Sequence, residues 1–145
     1  MVNRIFVDTN ILLRLTISQF PLHLEVKSFV TKLIENNSEM WINRQIVREY
    51  LNQVTRPQSF MNPLTIIQAE AQYRQIQSLF RIADETDIIT ERLIALLKEH
   101  PTGGKQIHDT NIVATMLTVG VKQLVTLNTS DFSRFGNKIT MLSPI

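Results

Sequence analysis

Four acidic side chains stand where their type and position suggest chemistry: Asp8, Glu49, Asp109 and Asp131. Asp8 closes a short apolar run, Ile5-Phe6-Val7, of the kind a strand buried on both faces requires. An Asp there equally suits the N-cap of a following helix, so its position alone leaves both roles open. Asp109 is harder to explain as a structural residue. At roughly 100° per residue it points between Ile112 and Val113 and towards Met116, onto a face that should be buried. An ionised carboxylate there is costly unless paired or bound to a cation. The competing reading starts the helix at Asp109 and makes it the cap, an arrangement the preceding Gly103-Gly104 permits. Glu49 lies about 60° from Ile46 on its own helix, beside the apolar stripe, and a Glu in that place can also snorkel to solvent. Asp131, followed by Phe132, also fits an ordinary turn.

The elements that must carry these residues follow from hydrophobic periodicity. Strands are expected at Ile5-Phe6-Val7, Met40-Trp41-Ile42, Arg81-Ile82-Ala83, Leu124 to Leu127 and Ile139 to Leu142. Helices are expected after Asp8, over Leu22 to Glu35, Arg44 to Thr55, Thr65 to Phe80, Asp87 to His100, and Ile107 to Val119 with Gly120 as its C-cap. Pro57 and Pro63 bracket a loop. Strands alternating with helices predict an α/β sandwich with a mainly parallel sheet. In such sheets ligands bind beyond the carboxyl ends of the strands, where Asp8-Thr9-Asn10 and Thr126-Leu127-Asn128 fall. A right-handed fold brings Asp8, Asp109 and Asp131 towards one sheet edge, with Glu49 leaning over it. Two carboxylates about 5 Å apart repel by roughly 3 kcal/mol at an effective dielectric of 20, so the group needs a cation or a shifted pKa. Carboxylates without cysteine or clustered histidine suit a hard ion, Mg²⁺ or Mn²⁺.

Composition narrows the function classes. The chain has 145 residues, enough for one domain with a real core, and no linker, repeat or low-complexity stretch divides it. Without cysteine there is no disulfide, thiolate zinc site or cysteine nucleophile. A formal charge of +2 gives little global attraction for nucleic acid. No apolar run approaches the roughly 20 residues of a spanning helix, and Asp8 interrupts the place of a signal-peptide core, so a soluble cytoplasmic protein is expected.

Asp8-Thr9-Asn10, Glu49, His108-Asp109-Thr110-Asn111-Ile112-Val113-Ala114 and Thr126-Leu127-Asn128-Thr129-Ser130-Asp131-Phe132 together resemble the PIN domain, most closely the VapC-type toxins of bacterial toxin–antitoxin pairs. The resemblance runs from Val2 to Pro144. It implies a three-layer α/β/α sandwich and metal-dependent ribonuclease chemistry. Asp8, Glu49 and Asp109 match the family's first three acids, Thr9 and Asn10 the polar residues that support the first acid, and Thr126 the hydroxyl of the late strand. Many members carry the fourth acid where this chain has Leu127 and Asn128. Here the nearest acid is Asp131, so Asn128 stands as a supporting residue. The resemblance also implies a small antitoxin partner, and the surfaces over Leu22–Glu35 and Thr65–Phe80 suit a homodimer.

Substrate contacts are expected from Arg44 and Arg48, one helical turn apart beside Glu49, and from Lys105 ahead of Asp109, although each also reads as a solvated surface charge. His108 reads as structural or solvent-facing rather than as a general acid. Gly103-Gly104-Lys105 lacks the spacing and the Ser or Thr of a P-loop, since Gln106 follows. These glycines are instead expected to let the chain enter the Asp109 helix closely. Two rival readings remain. A haloacid-dehalogenase-type phosphatase would need Asp-x-Asp-x-Thr, where this chain has Asn10 and Leu12. A non-catalytic PIN-like binding module would not need three acids in register.

Overall fold

The first strand, β1 (Arg4–Val7), lies at the centre of a five-stranded sheet with every pairing parallel. The computed structural model describes residues 2–145. Ile5, Phe6 and Val7 are fully buried, as a central strand covered on both faces demands. The chain turns at Asp8 into α1 (Thr9–Thr16), then runs through α2 (His23–Glu35) to β2 (Glu39–Asn43). Leu22 enters α2 with φ of 67°, so the helix begins one residue later than the periodicity suggests. Two helices, α3 (Arg44–Val54) and α4 (Ile66–Leu79), lead to β3 (Arg81–Ala83). Two more, α5 (Asp87–Glu99) and α6 (Gln106–Val119), lead to β4 (Gln123–Val125). A 3₁₀ helix (Thr129–Phe135) precedes β5 (Thr140–Leu142).

The strand order β3-β2-β1-β4-β5 explains the layers. Right-handed crossovers send α1 to α4 over one face as the chain steps outward from β1 to β3. The chain then crosses back to β4 on the other side of β1, which puts α5, α6 and the 3₁₀ helix on the opposite face. Packing agrees: α1 meets α2 and α3, α3 meets α4, and α5 lies along α6. The expected three-layer α/β/α sandwich is the architecture found. The order reverses between β1 and β4, so their carboxyl ends open a crevice at the topological switch point.

Two details differ from expectation. The segment after β4 is a 3₁₀ helix burying Phe132 and Phe135, not a simple turn. A Cβ at Gly103 or Gly104 would meet nothing within 4 Å, so no close approach explains these glycines. Gly104 is needed for its φ of +64°, a left-handed conformation from which α6 starts.

Candidate functional site

The switch point is built around Asp8. Its backbone N–H continues the sheet by donating to Val125 O at 3.1 Å, which ties the end of β1 to the end of β4. The Asp8 side chain caps α1, with Thr9 N donating to Oδ1 at 2.8 Å. The other oxygen, Oδ2, accepts from Thr126 Oγ1 at 2.8 Å and from Asn10 Nδ2 at 3.2 Å. Asp8 is therefore both a helix cap and the centre of a polar cluster. It is 7% exposed, and burial pushes its carboxyl above the usual range. The Thr126 and Thr9 hydrogen bonds pull it back down, and the charge of Glu49 adds to the upward push. Asn10 fixes the neighbouring loop by accepting from Leu127 N at 3.2 Å, and Thr126 Oγ1 accepts from Asn128 N at 3.0 Å.

Glu49 comes from α3 and lines the same cleft as Asp8. It does not snorkel. Thr9 Oγ1 donates to its Oε2 at 2.7 Å and Gln45 Nε2 to its Oε1 at 2.9 Å. Gln45 is a residue that periodicity overlooks: it is buried, and it also donates to His108 O at 3.2 Å and accepts from Asn111 Nδ2 at 2.8 Å. That amide joins α3 to α6 across the sheet edge. Asn43 adds a second tie by capping α3 through Ile46 N at 2.9 Å while donating to Thr115 Oγ1 of α6 at 3.4 Å.

Asp109 lies in the first turn of α6, which begins at Gln106, so Asp109 is not the cap. Its carboxyl is pushed up to about 6, first by burial and then by the negative charges of Asp8 and Asp131. Arg134 acts against this rise, and Glu49 adds to it. Arg134 is held nearby, donating to Thr110 Oγ1 at 3.2 Å and to Asp131 O at 2.8 Å. The four predicted acids thus share one electrostatic neighbourhood. As placed, no three His, Asp or Glu side chains among the described residues stand ready to hold a metal ion.

A cleft of about 710 Å³ opens over the cluster. Asp8, Glu49 and Asp109 line it, as do the exposed residues Lys105, His108 and Asn128. Asp131 sits on the 3₁₀ helix, exposed, and acts on Asp109 through its charge. Arg44 and Arg48 do not line this cleft. Arg44 Nε binds Asp84 at 3.0 Å and Arg48 Nη2 binds Glu85 at 2.8 Å, both on the loop after β3. Arg14 does line it, although the sequence gives it the look of an ordinary helix-surface charge. The signal that would have found it is its place four residues after Asn10, one turn along the same face of α1.

The family model for the PIN domain matches residues 5–138, and the chain belongs to that family. Its fold is shared with a toxin–antitoxin complex from Klebsiella pneumoniae at 24% identity, covering 97% of each chain with a TM-score of 0.68. FitAcB from Neisseria gonorrhoeae matches at 18% identity over 97% of each chain, with a TM-score of 0.66. VapC20 from Mycobacterium tuberculosis, described as a sarcin-ricin loop cleaving toxin, matches at 17% identity over 83% of this chain and 86% of its own, with a TM-score of 0.61. No curated protein sequence matches the chain. Membership of the PIN family removes the phosphatase reading. Among the described residues no helix is long and apolar enough to cross a membrane.

Proposed function

We propose that this PIN domain is a divalent-metal-dependent endoribonuclease, the toxin of a toxin–antitoxin pair, acting in the cytoplasm. The observation that carries the reading is the meeting of Asp8, Glu49 and Asp109 in one cleft at the switch point, with Asp109 pushed up to about 6 by burial and by its acidic neighbours. The donor chemistry fits a hard cation: every candidate ligand is a carboxylate oxygen, and the group carries more negative charge than it neutralises internally. Asp8 and Asp109 would hold Mg²⁺ or Mn²⁺ directly and Glu49 directly or through water, with Asp131 a further candidate; such an ion supplies an acidic water and offsets charge at phosphorus.

The chain's own residues do the positioning. Thr126, Asn10 and the Thr9 N–H fix both oxygens of Asp8. Thr9 and Gln45 fix both oxygens of Glu49. Asn128, in the place many family members give to an acid, lines the cleft and would take a supporting role, its backbone N–H donating to Thr126 Oγ1. Lys105, which lines the cleft, would meet an RNA phosphate. Arg44 and Arg48 would do so only by exchanging Asp84 and Glu85 for phosphate.

The toxin assignment rests on family membership and on a fold shared with toxin–antitoxin complexes. It brings a small antitoxin as partner, and a homodimer is proposed through α2 and α4. A thermal titration tests the metal. Millimolar Mn²⁺ should raise the melting temperature of the wild type by ligand linkage and leave Asp8→Asn nearly unmoved. An equal shift in both proteins would place the ion elsewhere.

A further inference from the structure

The cleft extends beyond the acids to a wall that the chemistry above does not use. Phe60 stands at the tip of the loop between α3 and α4, in a turn closed by Gln58 N to Met61 O at 3.3 Å and Met61 N to Gln58 O at 3.5 Å. Gln58 Nε2 pins that turn to the end of α3 by donating to Gln53 O at 3.1 Å. Leu64 N, donating to Val54 O at 2.8 Å, closes the loop behind it. The turn is thereby held over the cleft, and both Gln58 and Phe60 line it. The Phe60 ring meets buried Phe20 edge to face, with centroids 4.8 Å apart at 71°. That contact sets the ring's orientation yet leaves Phe60 39% exposed.

Arg14 completes the wall. Its guanidinium lies 5.6 Å from the Phe20 centroid, and Nη1 donates to Asn10 O at 2.9 Å. Its Nε is buried without a hydrogen-bond partner. Among the described residues no carboxylate lies within ion-pair distance of Arg14, although the same cleft holds three. Phe20 thus links the two, touching the Arg14 guanidinium and the Phe60 ring, and a cation without a carboxylate partner in the same cleft as an exposed aromatic ring has the composition of a single-strand nucleic-acid channel. The ring offers a sequence-tolerant stacking surface, and Arg14 Nη2, which has no hydrogen-bond partner among the described residues while Nη1 is held by Asn10 O, offers a charged donor for phosphate.

We propose that Phe60 and Arg14 form a nucleotide subsite beside the acidic cluster, Phe60 stacking a base of single-stranded RNA and Arg14 holding its phosphate. This rests on reading the cluster as a ribonuclease centre. It goes further by naming two side chains outside the acidic cluster that would hold one nucleotide of that substrate.

The test is fluorescence anisotropy in EDTA with two probes: a labelled single-stranded RNA of about twelve nucleotides, and an abasic ribose-phosphate oligomer of the same length. Phe60→Ala should weaken binding of the RNA about tenfold and leave the abasic oligomer unchanged. Arg14→Gln should weaken both and lower the salt slope by about 0.7. Phe60→Tyr should retain wild-type affinity. Phe60→Leu, which keeps apolar cover over Phe20 without a stacking face, should behave as the Ala variant does. Wild-type affinity in Phe60→Leu would make the ring mere cover, or leave it to a protein partner, and overturn the proposal. Failure of the wild type to bind the RNA would overturn it as well. Cleavage of RNA by the wild type is read separately. Active protein with Phe60-independent binding defeats the subsite alone, and inactive protein with Phe60-dependent binding defeats the nuclease reading alone.

Discussion

Thr9 joins two of the acids: its hydroxyl donates to Glu49 Oε2 at 2.7 Å while its backbone N–H donates to Asp8 Oδ1 at 2.8 Å. One residue on the first turn of α1 thus sets the orientation of a carboxylate on its own helix cap and of another on α3. The two bonds are separable, because only the first needs a side chain. Thr9→Val keeps the shape and the backbone bond but frees Glu49. It should lower the RNA cleavage rate by roughly tenfold and stability by about 1 kcal/mol. Single-turnover cleavage and a melting shift of roughly 2–4 °C would register both effects.

Gln45 is the larger structural commitment. Replacing it with Leu would leave Glu49 Oε1, Asn111 Nδ2 and His108 O without their present partner. We expect a loss of roughly 2 kcal/mol in urea unfolding, larger than for Thr9→Val, because three polar groups are stranded near the sheet edge. A loss no greater than that of an exposed substitution would show that α3 and α6 are not held together by this amide.

Asp109 makes stability depend on pH in a definite direction. Its folded pKa, about 6, lies above the ordinary value of 3.8, so between these limits the folded state binds more protons than the unfolded one. The favourable contribution is present in full below 3.8 and is lost as pH rises through about 6. Asp109→Asn, which cannot ionise, should therefore melt roughly 2–4 °C higher than the wild type at pH 8 without metal. That advantage should shrink as pH falls through 6 towards 4. A gain independent of pH would mean that the charge of Asp109 is not what destabilises the site.

Lys105 and Arg48 should differ as substrate contacts. Lys105 lines the cleft, whereas Arg48 is held by Glu85 at 2.8 Å. Lys105→Ala should reduce the salt slope of RNA binding by about 0.7. Arg48→Ala should reduce it less, because that guanidinium would have to give up a carboxylate to reach phosphate. It should also cost under about 1 kcal/mol of stability, as exposed ion pairs do.

The parts legible in the sequence were those that depend on local pattern. The apolar run before Asp8 marked a central strand, and the apolar neighbours of Asp109 marked a carboxylate on a face that needs a reason. Short apolar runs alternating with helices of period 3.6 were enough for the α/β class. What stayed hidden depends on residues far apart in the chain. Gln45 meets Asn111 only because α3 and α6 approach across the switch point, and no local pattern encodes that. Arg14 looks like a solvent-facing charge until Phe20 and the Phe60 turn close over the cleft. The 3₁₀ helix over Thr129–Phe135 read as a turn because its buried residues, Phe132 and Phe135, sit three apart in a segment too short for a helical stripe.

Cleavage itself tests the central claim. Wild type and Asp8→Asn should be incubated with an RNA containing an exposed single-stranded loop, in Mn²⁺ and in excess EDTA, with circular dichroism confirming that both are folded. The account predicts cleavage by the wild type in Mn²⁺ alone, and none by Asp8→Asn in either condition. Undiminished cleavage by folded Asp8→Asn, or by the wild type in EDTA, would contradict it.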